Sequence, residues 1–324
     1  MPPAVRRPVL LALTVLVALA AAGAAPAGNG GFTPVDPASP SASRIDDIYW
    51  VLVGVAAFIV LVVFGPLLVF IVRFRHRGRD RAVEGPQIRG NNRLEIGWTI
   101  GATLIVVGLV VVVLYKVPGI QEPASADAGE PLEITVEGRQ FYWLYEYPEG
   151  ITTVDTLTLP VDRPVTLRLT APDGDVIHSW WVPALAGKRD AIPGQVNELE
   201  LFPTRTGTYG GVCGELCGIQ HAVMRTTVRV VEEAAYEEFV AAQQQAASDD
   251  LGGQIWAGVC QKCHADALIG PELVGNPLLA NREALAAIVT QGRRKMPAVG
   301  QEWSDDQLDA LLDFAENLGG GSGS

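Results

Sequence analysis

The stretch Cys213-Gly-Glu-Leu-Cys217-Gly-Ile-Gln-His221-Ala-Val-Met224 decides how this chain is read. Two thiols stand four residues apart, an imidazole follows four residues later, and a thioether three beyond that. Thiolate, imidazole and thioether are the donors that copper and haem iron take. The 324-residue chain has few to spare: four Cys, four His and three Met. Met1 aside, and His76 in an arginine-rich loop aside, all of them fall into two groups. His178 joins the stretch above, and Cys260, Cys263, His264 and Met296 make the second group. Such a distribution reads as an electron carrier with two metal sites.

A mononuclear blue-copper site takes one Cys, two His and a weak axial Met. The first group has one thiolate too many for that site. Two thiolates can bridge a pair of copper ions, leaving one His for each metal, and coordination keeps both thiols deprotonated. A Cys213–Cys217 disulfide is the alternative in an oxidising compartment. It leaves His178, His221 and Met224 without a reason. Zinc is a further alternative, against which the Met, a poor zinc ligand, argues.

Working outward, short β-type segments surround this stretch: Leu132–Glu137, Val165–Thr170, Glu198–Phe202 and Thr226–Val231. Several alternate apolar and polar residues, as half-buried strands do. Ala171-Pro-Asp-Gly174 and Pro193-Gly194 supply turn chemistry. Residues 125–232 are expected to form an antiparallel β-sandwich or barrel. Residues 233–250 read as a helix running into a hinge. The pattern from 251 to 318 is helical, with Ser304 as a helix cap ahead of acidic residues. Residues 319–324 are Gly and Ser only and carry no chemistry.

Within the helical part, Cys260-Gln-Lys-Cys263-His264 is the c-type haem attachment pattern. Two thiols add to the porphyrin vinyl groups and the adjacent imidazole binds the iron. Met296, thirty-two residues beyond His264, can supply the sixth ligand. His/Met ligation raises the iron potential and closes both axial positions, which suits electron transfer rather than oxygen binding. A redox-active dithiol is the alternative, and it does not account for Met296.

Ahead of the β region lie apolar segments. Val9 to Ala22 follows Arg6 and Arg7, is too short to span a bilayer, and precedes small residues. Residues 1–27 are read as a signal peptide. Ile48 to Val72 and Ile96 to Tyr115 run for 25 and 20 residues without a charge, and a membrane helix needs ~20. Together they make a transmembrane hairpin over 45–117. Pro66 inside the first span is tolerable in a membrane helix. The loop between the spans carries Arg73, Arg75, Arg77, Arg79, Arg81, Arg89 and Arg93 against Asp80 and Glu84, which places it in the cytoplasm and the C-terminal part outside. Charge divides at the same point. Residues 1–117 hold 11 basic and 6 acidic side chains, net +5, and the remainder 13 and 30, net −17. The exported part is thus strongly acidic: either a surface that steers a basic soluble partner or one that is merely solvated. Nucleic acid is excluded as a partner.

His178-Ser-Trp-Trp-Val-Pro183, Asp190-Ala-Ile-Pro-Gly194 and the Cys213–Met224 stretch resemble subunit II of the haem-copper cytochrome c oxidases. The resemblance covers residues 45–232. It implies a Greek-key cupredoxin domain carrying a dinuclear CuA centre. Cys213 and Cys217 would bridge the coppers, with His178, His221, Met224 and the Glu215 carbonyl as the other ligands. It also implies a magnesium ion reached by the Glu215 carboxylate at the boundary with subunit I. Gly138-Arg-Gln-Phe-Tyr-Trp-Leu-Tyr-Glu-Tyr147 resembles the family's aromatic run, where electrons arrive from cytochrome c; the family usually has Trp at the place of Phe141. Phe141, Tyr142, Trp143 and Trp180 are the candidate electron-transfer aromatics, and packing of the β core is the competing role for each ring. Leu94-Glu-Ile-Gly-Trp-Thr-Ile100 resembles the start of the family's second membrane helix, where the Glu matching Glu95 lies at the mouth of a proton-uptake channel. Glu95 is either such a relay or an ordinary interfacial charge.

The second motif, with Gly270-Pro271-Glu-Leu273, Arg293-Arg-Lys-Met-Pro297 and Trp303-Ser-Asp-Asp-Gln-Leu308, resembles a small class I cytochrome c over residues 250–318. The expected whole is a multi-domain membrane protein: two transmembrane helices, an all-β cupredoxin-like domain and a small all-α cytochrome c domain. It reads as subunit II of a caa3-type oxidase in a bacterial cell membrane. Its expected partners are subunit I, the other oxidase subunits, and an external donor that is cytochrome c or a quinol-cytochrome c reductase. A CuA-containing nitric oxide reductase subunit and a free-standing membrane-tethered shuttle are the alternatives. A quinol-oxidase subunit II would lack the copper ligands.

Overall fold

The computed structural model describes residues 33–75, 87–121, 129–246, 251–264, 270–294, 296–301 and 303–319. The signal-peptide segment, loop residues 76–86 with His76, residues 247–250 of the hinge and the tail from 320 lie outside them. The chain divides into two compact units.

The first unit holds two long helices, α1 (Pro40–Arg73) and α2 (Asn92–Lys116). Their apolar side chains are exposed all round, including Phe58, Val62, Phe70, Val107 and Val111. A helix with no buried stripe and no polar face needs lipid as its surroundings. Both helices reach past the expected spans. Asn91 starts α2 by accepting the N–H groups of Arg93 and Leu94 at 3.1 and 3.2 Å. Glu95 reaches back to accept the Asn91 N–H at 3.2 Å, closing a capping arrangement. Lys116 and Asp47 pair at 2.6 Å.

The second unit takes residues 37–43 and everything after 118. Its first part is a sandwich of two five-stranded sheets. One has the order β3 (Thr152–Val154), β2 (Tyr142–Glu146), β1 (Leu132–Arg139), β5 (Val165–Thr170), β8 (Asn197–Leu201). The other has β4 (Thr156–Pro160), β10 (Arg225–Val231), β9 (Gly207–Cys213), β6 (His178–Trp181), β7 (Arg189–Ala191). The expectation of a purely antiparallel sandwich needs correcting: β1 pairs with β5, and β10 with β4, in parallel. Alternation within a strand reports which faces are buried and says nothing about a neighbour's direction. The inner faces bury Trp143, Tyr145, Trp180, Leu157, Leu167 and Leu169.

After α3 (Glu233–Ala246), a helical module follows: α4 (Leu251–Ile255), a π-helical turn at Trp256–Cys260, α5 (Gln261–His264), α6 (Arg282–Gln291) and α7 (Asp305–Gly319). Ser304 caps α7 as expected. Its hydroxyl accepts the Gln307 N–H at 3.3 Å, and the Gln307 side chain accepts the Ser304 N–H at 3.0 Å, a reciprocal box.

Strand β2 joins the two parts. Residues 142 to 145 are buried on both faces. Trp143 and Tyr145 belong to the sandwich core, whereas Tyr142 and Leu144, with Val154, share a core with Trp256, Leu279, Leu285 and Leu311 of the helical module. An antiparallel sheet normally leaves one face to water; here the helical module covers it.

Candidate metal centres

The first group of donors assembles at one end of the sandwich. His178 opens β6, Cys213 closes β9, and the two strands pair beside them, Trp180 opposite Cys213. The loop from Cys213 turns back so that the Cys213 N–H bonds the Met224 carbonyl at 2.9 Å. Cys217, His221 and Met224 are thereby folded over the strand ends. The Cys213 and Cys217 sulfurs lie 3.9 Å apart, and both thiols are free. His178 Nδ1 is 4.0 Å from Cys213 Sγ. From Cys217 Sγ, His221 Nδ1 and Met224 Sδ are each 3.7 Å away. Cys213 Sγ is 3.2 Å from the Glu215 carbonyl oxygen. His178 and Met224 are fully buried and both cysteines nearly so. Two sulfurs, two imidazoles, a thioether and a carbonyl thus converge on one small volume, and this donor chemistry fits copper. The hydrogen bond between the thiols draws Cys213 down to about 3, against burial, and pushes Cys217 well above the ordinary thiol range. A metal cation would displace the thiol protons on binding.

The sequence reading missed Asp175. It sits three residues before His178 and takes the His178 Nε2–H on its Oδ1 at 3.1 Å, so that Nδ1 faces the sulfurs. Its other oxygen accepts the Gln140 N–H at 3.0 Å. Burial works to raise this carboxyl, but the bonds from His178, Val176 and Gln140 outweigh it and hold it below the usual carboxylate range. A carboxylate behind a ligating His fixes its tautomer. An Asp in the turn just ahead of the candidate His was the available signal.

The Glu215 carboxylate pairs with Lys188 at 3.1 Å, and Lys188 also lies 3.4 Å from Asp190. Of the candidate aromatics, Trp143 packs edge-on against His178 with ring centroids 6.1 Å apart. The Trp180 indole donates to the Tyr145 hydroxyl at 3.0 Å inside the core. Tyr142 faces the helical module and accepts a hydrogen bond from the Trp303 indole. Phe141 lies over Gly218, where a Cβ would come within 3.0 Å of the ring. Gly218 has φ 140°, a conformation that also favours glycine.

The second group lines a cavity of about 780 Å³. Cys260, Cys263, His264 and Met296 all face it, among Trp256, Leu273, Leu285, Val289 and Pro297. His264 donates from Nδ1 to the Pro271 carbonyl at 2.7 Å, which leaves Nε2 for a metal. Gly270 is required beside it, since a Cβ there would strike the imidazole ring. Arg293 and Met296 exchange both backbone hydrogen bonds at 3.0 Å, a tight turn that holds the thioether at the cavity. Burial pushes the Cys260 thiol up to about 12. A large apolar chamber with two thiols, an imidazole and a thioether on its walls fits a covalently attached porphyrin. Two walls come from the sandwich: Phe141 and Gln220. The Gln220 side chain lies 2.8 Å from Cys263 Sγ, and its neighbour in sequence is His221.

Fold and donors together define a class: a membrane-anchored protein with a cupredoxin-like sandwich and a cytochrome-like helical module. Three family descriptions match the chain in succession: "Cytochrome C oxidase subunit II, transmembrane domain" over residues 27–115, "Cytochrome C oxidase subunit II, periplasmic domain" over 150–231, and "Cytochrome C oxidase, cbb3-type, subunit III" over 247–314. A "Cytochrome c oxidase subunit 2" of Alkalihalophilus pseudofirmus is 30% identical, with 90% of this chain and 92% of that protein covered. One from a Synechocystis strain is 32% identical over 69% and 79%. A "Quinol oxidase subunit 2" of Bacillus subtilis is 31% identical over 74% and 73%. The chain belongs to the cytochrome c oxidase subunit II family and carries a cytochrome c domain after its copper domain. That family implies a CuA centre, the cytochrome c domain implies a haem, and a subunit II works with the other subunits of its oxidase.

Proposed function

We propose that this chain is subunit II of a caa3-type cytochrome c oxidase in a bacterial cell membrane, with both C-terminal domains on the outer face. Electrons from an external donor pass through the haem-binding module to the copper domain and on to the haem of subunit I, where oxygen is reduced to water with proton pumping. Each group supplies a one-electron couple when bound. The chain's own part is to hold and insulate them. Cys260 and Cys263 would bond the porphyrin, and His264 and Met296 would take the iron. His178, Cys213, Cys217, His221, Met224 and the Glu215 carbonyl would hold the copper pair. The Glu215 carboxylate would reach a magnesium ion at the subunit I boundary, and Glu95 would stand at a proton-uptake path in addition to capping α2.

One observation carries this reading: the cavity that presents the attachment cysteines has Phe141 and Gln220 of the copper domain as part of its wall. Two redox sites that share a wall suit relay better than independent roles. The full set of candidate copper donors supports a cytochrome c oxidase subunit over a quinol oxidase one, which is expected to lack those ligands. Counting metals on the purified full-length chain tests the assignment. About two coppers and one covalent haem per chain are expected from the donor sets. A single copper would return the first site to the blue-copper class, and a colourless chain with Cys213 joined to Cys217 would end the proposal.

A further inference from the structure

Between the two attachment cysteines stands a residue that neither site uses. Lys262 borders the cavity, and its ammonium reaches into the copper domain. Its ammonium lies 2.6 Å from Asp155 Oδ2 and donates to the Phe141 carbonyl at 2.9 Å. Both side chains are only 16% exposed, so this is a largely desolvated pair and unlike the solvent-facing pairs of Arg168 or Arg282.

Asp155 is held by the copper domain's own hydrogen bonds, independently of Lys262. It occupies the corner between β3 and β4 with φ 55°. Its Oδ1 accepts the Trp143 N–H at 2.9 Å, its N–H bonds the Trp143 carbonyl at 2.8 Å, and its carbonyl accepts the Thr227 N–H at 2.8 Å. Neutral hydrogen bonds also cross this edge, from the Trp303 indole to the Tyr142 hydroxyl and from the Val154 N–H to the Gln254 side chain at 3.2 Å, and each is weaker than a bond to a charged group. Tyr142, Leu144 and Val154 meet the helical module as an apolar face, and apolar contact is non-directional. A buried ion pair adds little net stability but penalises every register that leaves one charge alone.

We propose that Lys262 is a positioning residue: seated between the Asp155 carboxylate and the Phe141 carbonyl, it locks the haem-attachment turn onto the β2–β3 edge of the copper domain. The lock places the cavity against Phe141 and Gln220, beside the copper loop. This proposal rests on the two-site reading above for its electron-transfer consequence, and on the ion pair alone for the docking itself.

The two parts are separable by experiment. A protease site placed between Ala246 and Leu251 of the full-length chain allows the connection to be cut in the purified, detergent-solubilised protein. In the native sequence the haem-binding fragment is expected to stay with the membrane-anchored part through gel filtration. Lys262→Met leaves the Asp155 carboxylate buried and alone. The cut fragment is then expected to separate, and haem-to-copper transfer after flash reduction to slow about tenfold or more, while both optical spectra stay native. Adding Asp155→Asn to Lys262→Met removes the stranded charge and is expected to bring the rate back to within about threefold of native. That rescue is what a merely structural lysine would not show. Should Lys262→Met lose its covalent haem, Asp155→Lys sets two cations face to face with the attachment motif intact, and is expected to release the fragment. The proposal is overturned if the native fragment departs on cutting, if Lys262→Met transfers electrons at the native rate, if Asp155→Asn does not rescue it, or if the Asp155→Lys fragment stays bound. Missing copper or haem bands in the native protein would instead count against the two-site reading, and fragment release would still report on the lock.

Discussion

The copper site and the haem cavity solve the same problem at different scales. Five of the six candidate copper donors lie within twelve residues of sequence, braced by paired strands, and their atoms sit within about 4 Å of a neighbour before any metal is considered. The haem donors are split between an attachment turn and a loop thirty-two residues later. They line a chamber whose walls include residues of another domain. A small ion can be served by one loop on a rigid scaffold. A porphyrin needs a whole domain around it, and here part of the neighbouring one.

If this contrast is right, the copper site should fail alone. Cys217→Ser is expected to abolish the copper-pair spectrum entirely while covalent haem stays near one per chain, by the separate donor sets. A parallel loss of haem, read from the same sample, would mean that the copper loop supports the cavity more than its geometry suggests. The next effect concerns the edge where the domains meet. Burial raises the Asp155 carboxyl from 3.8 to about 6, against Lys262 and the Trp143 N–H, which pull it down. The folded state therefore keeps this proton to higher pH than the unfolded chain does. Its stabilising contribution is complete below about pH 4 and is lost as pH rises to about 6, so the charged pair with Lys262 fixes register at a cost in net stability. Denaturant midpoints of the full-length chain between pH 4 and 7 should fall over that window, and Asp155→Asn should flatten the slope. The smallest effect lies inside the sandwich. Thr226→Val removes the 2.6 Å partner of the Tyr145 hydroxyl, which keeps the Trp180 indole. A loss of about 1 kcal/mol is expected, with both redox spectra intact. A shifted copper spectrum would show that this core network reaches the metal.

Much of both sites was legible in the sequence because their chemistry is local. Cys213 to Met224 and Cys260 to His264 are short motifs, and the Pro271 segment was part of the cytochrome c resemblance. What stayed hidden was non-local. Asp175 is the exception, a local signal three residues ahead of His178 that the sequence reading passed over. Lys262 is one of 24 basic residues until its ammonium is found in a socket of another domain. The aromatic run 138–147 admitted two readings, uptake of electrons or packing. The structure divides it ring by ring: Trp143 and Tyr145 pack the sandwich, Tyr142 packs against the haem-binding module, and Phe141 belongs to the sandwich core while also lining the cavity.

By itself the amino-acid order marked the membrane helices, the strand-rich and helical modules and the candidate donors. The elements follow from periodicity and the two cysteine motifs from spacing over a few residues. Tertiary structure alone decided the parallel pairings β1–β5 and β4–β10 and the register in which the cytochrome module meets the copper domain. Those depend on which surfaces lose water together, and burial is a property of the folded whole.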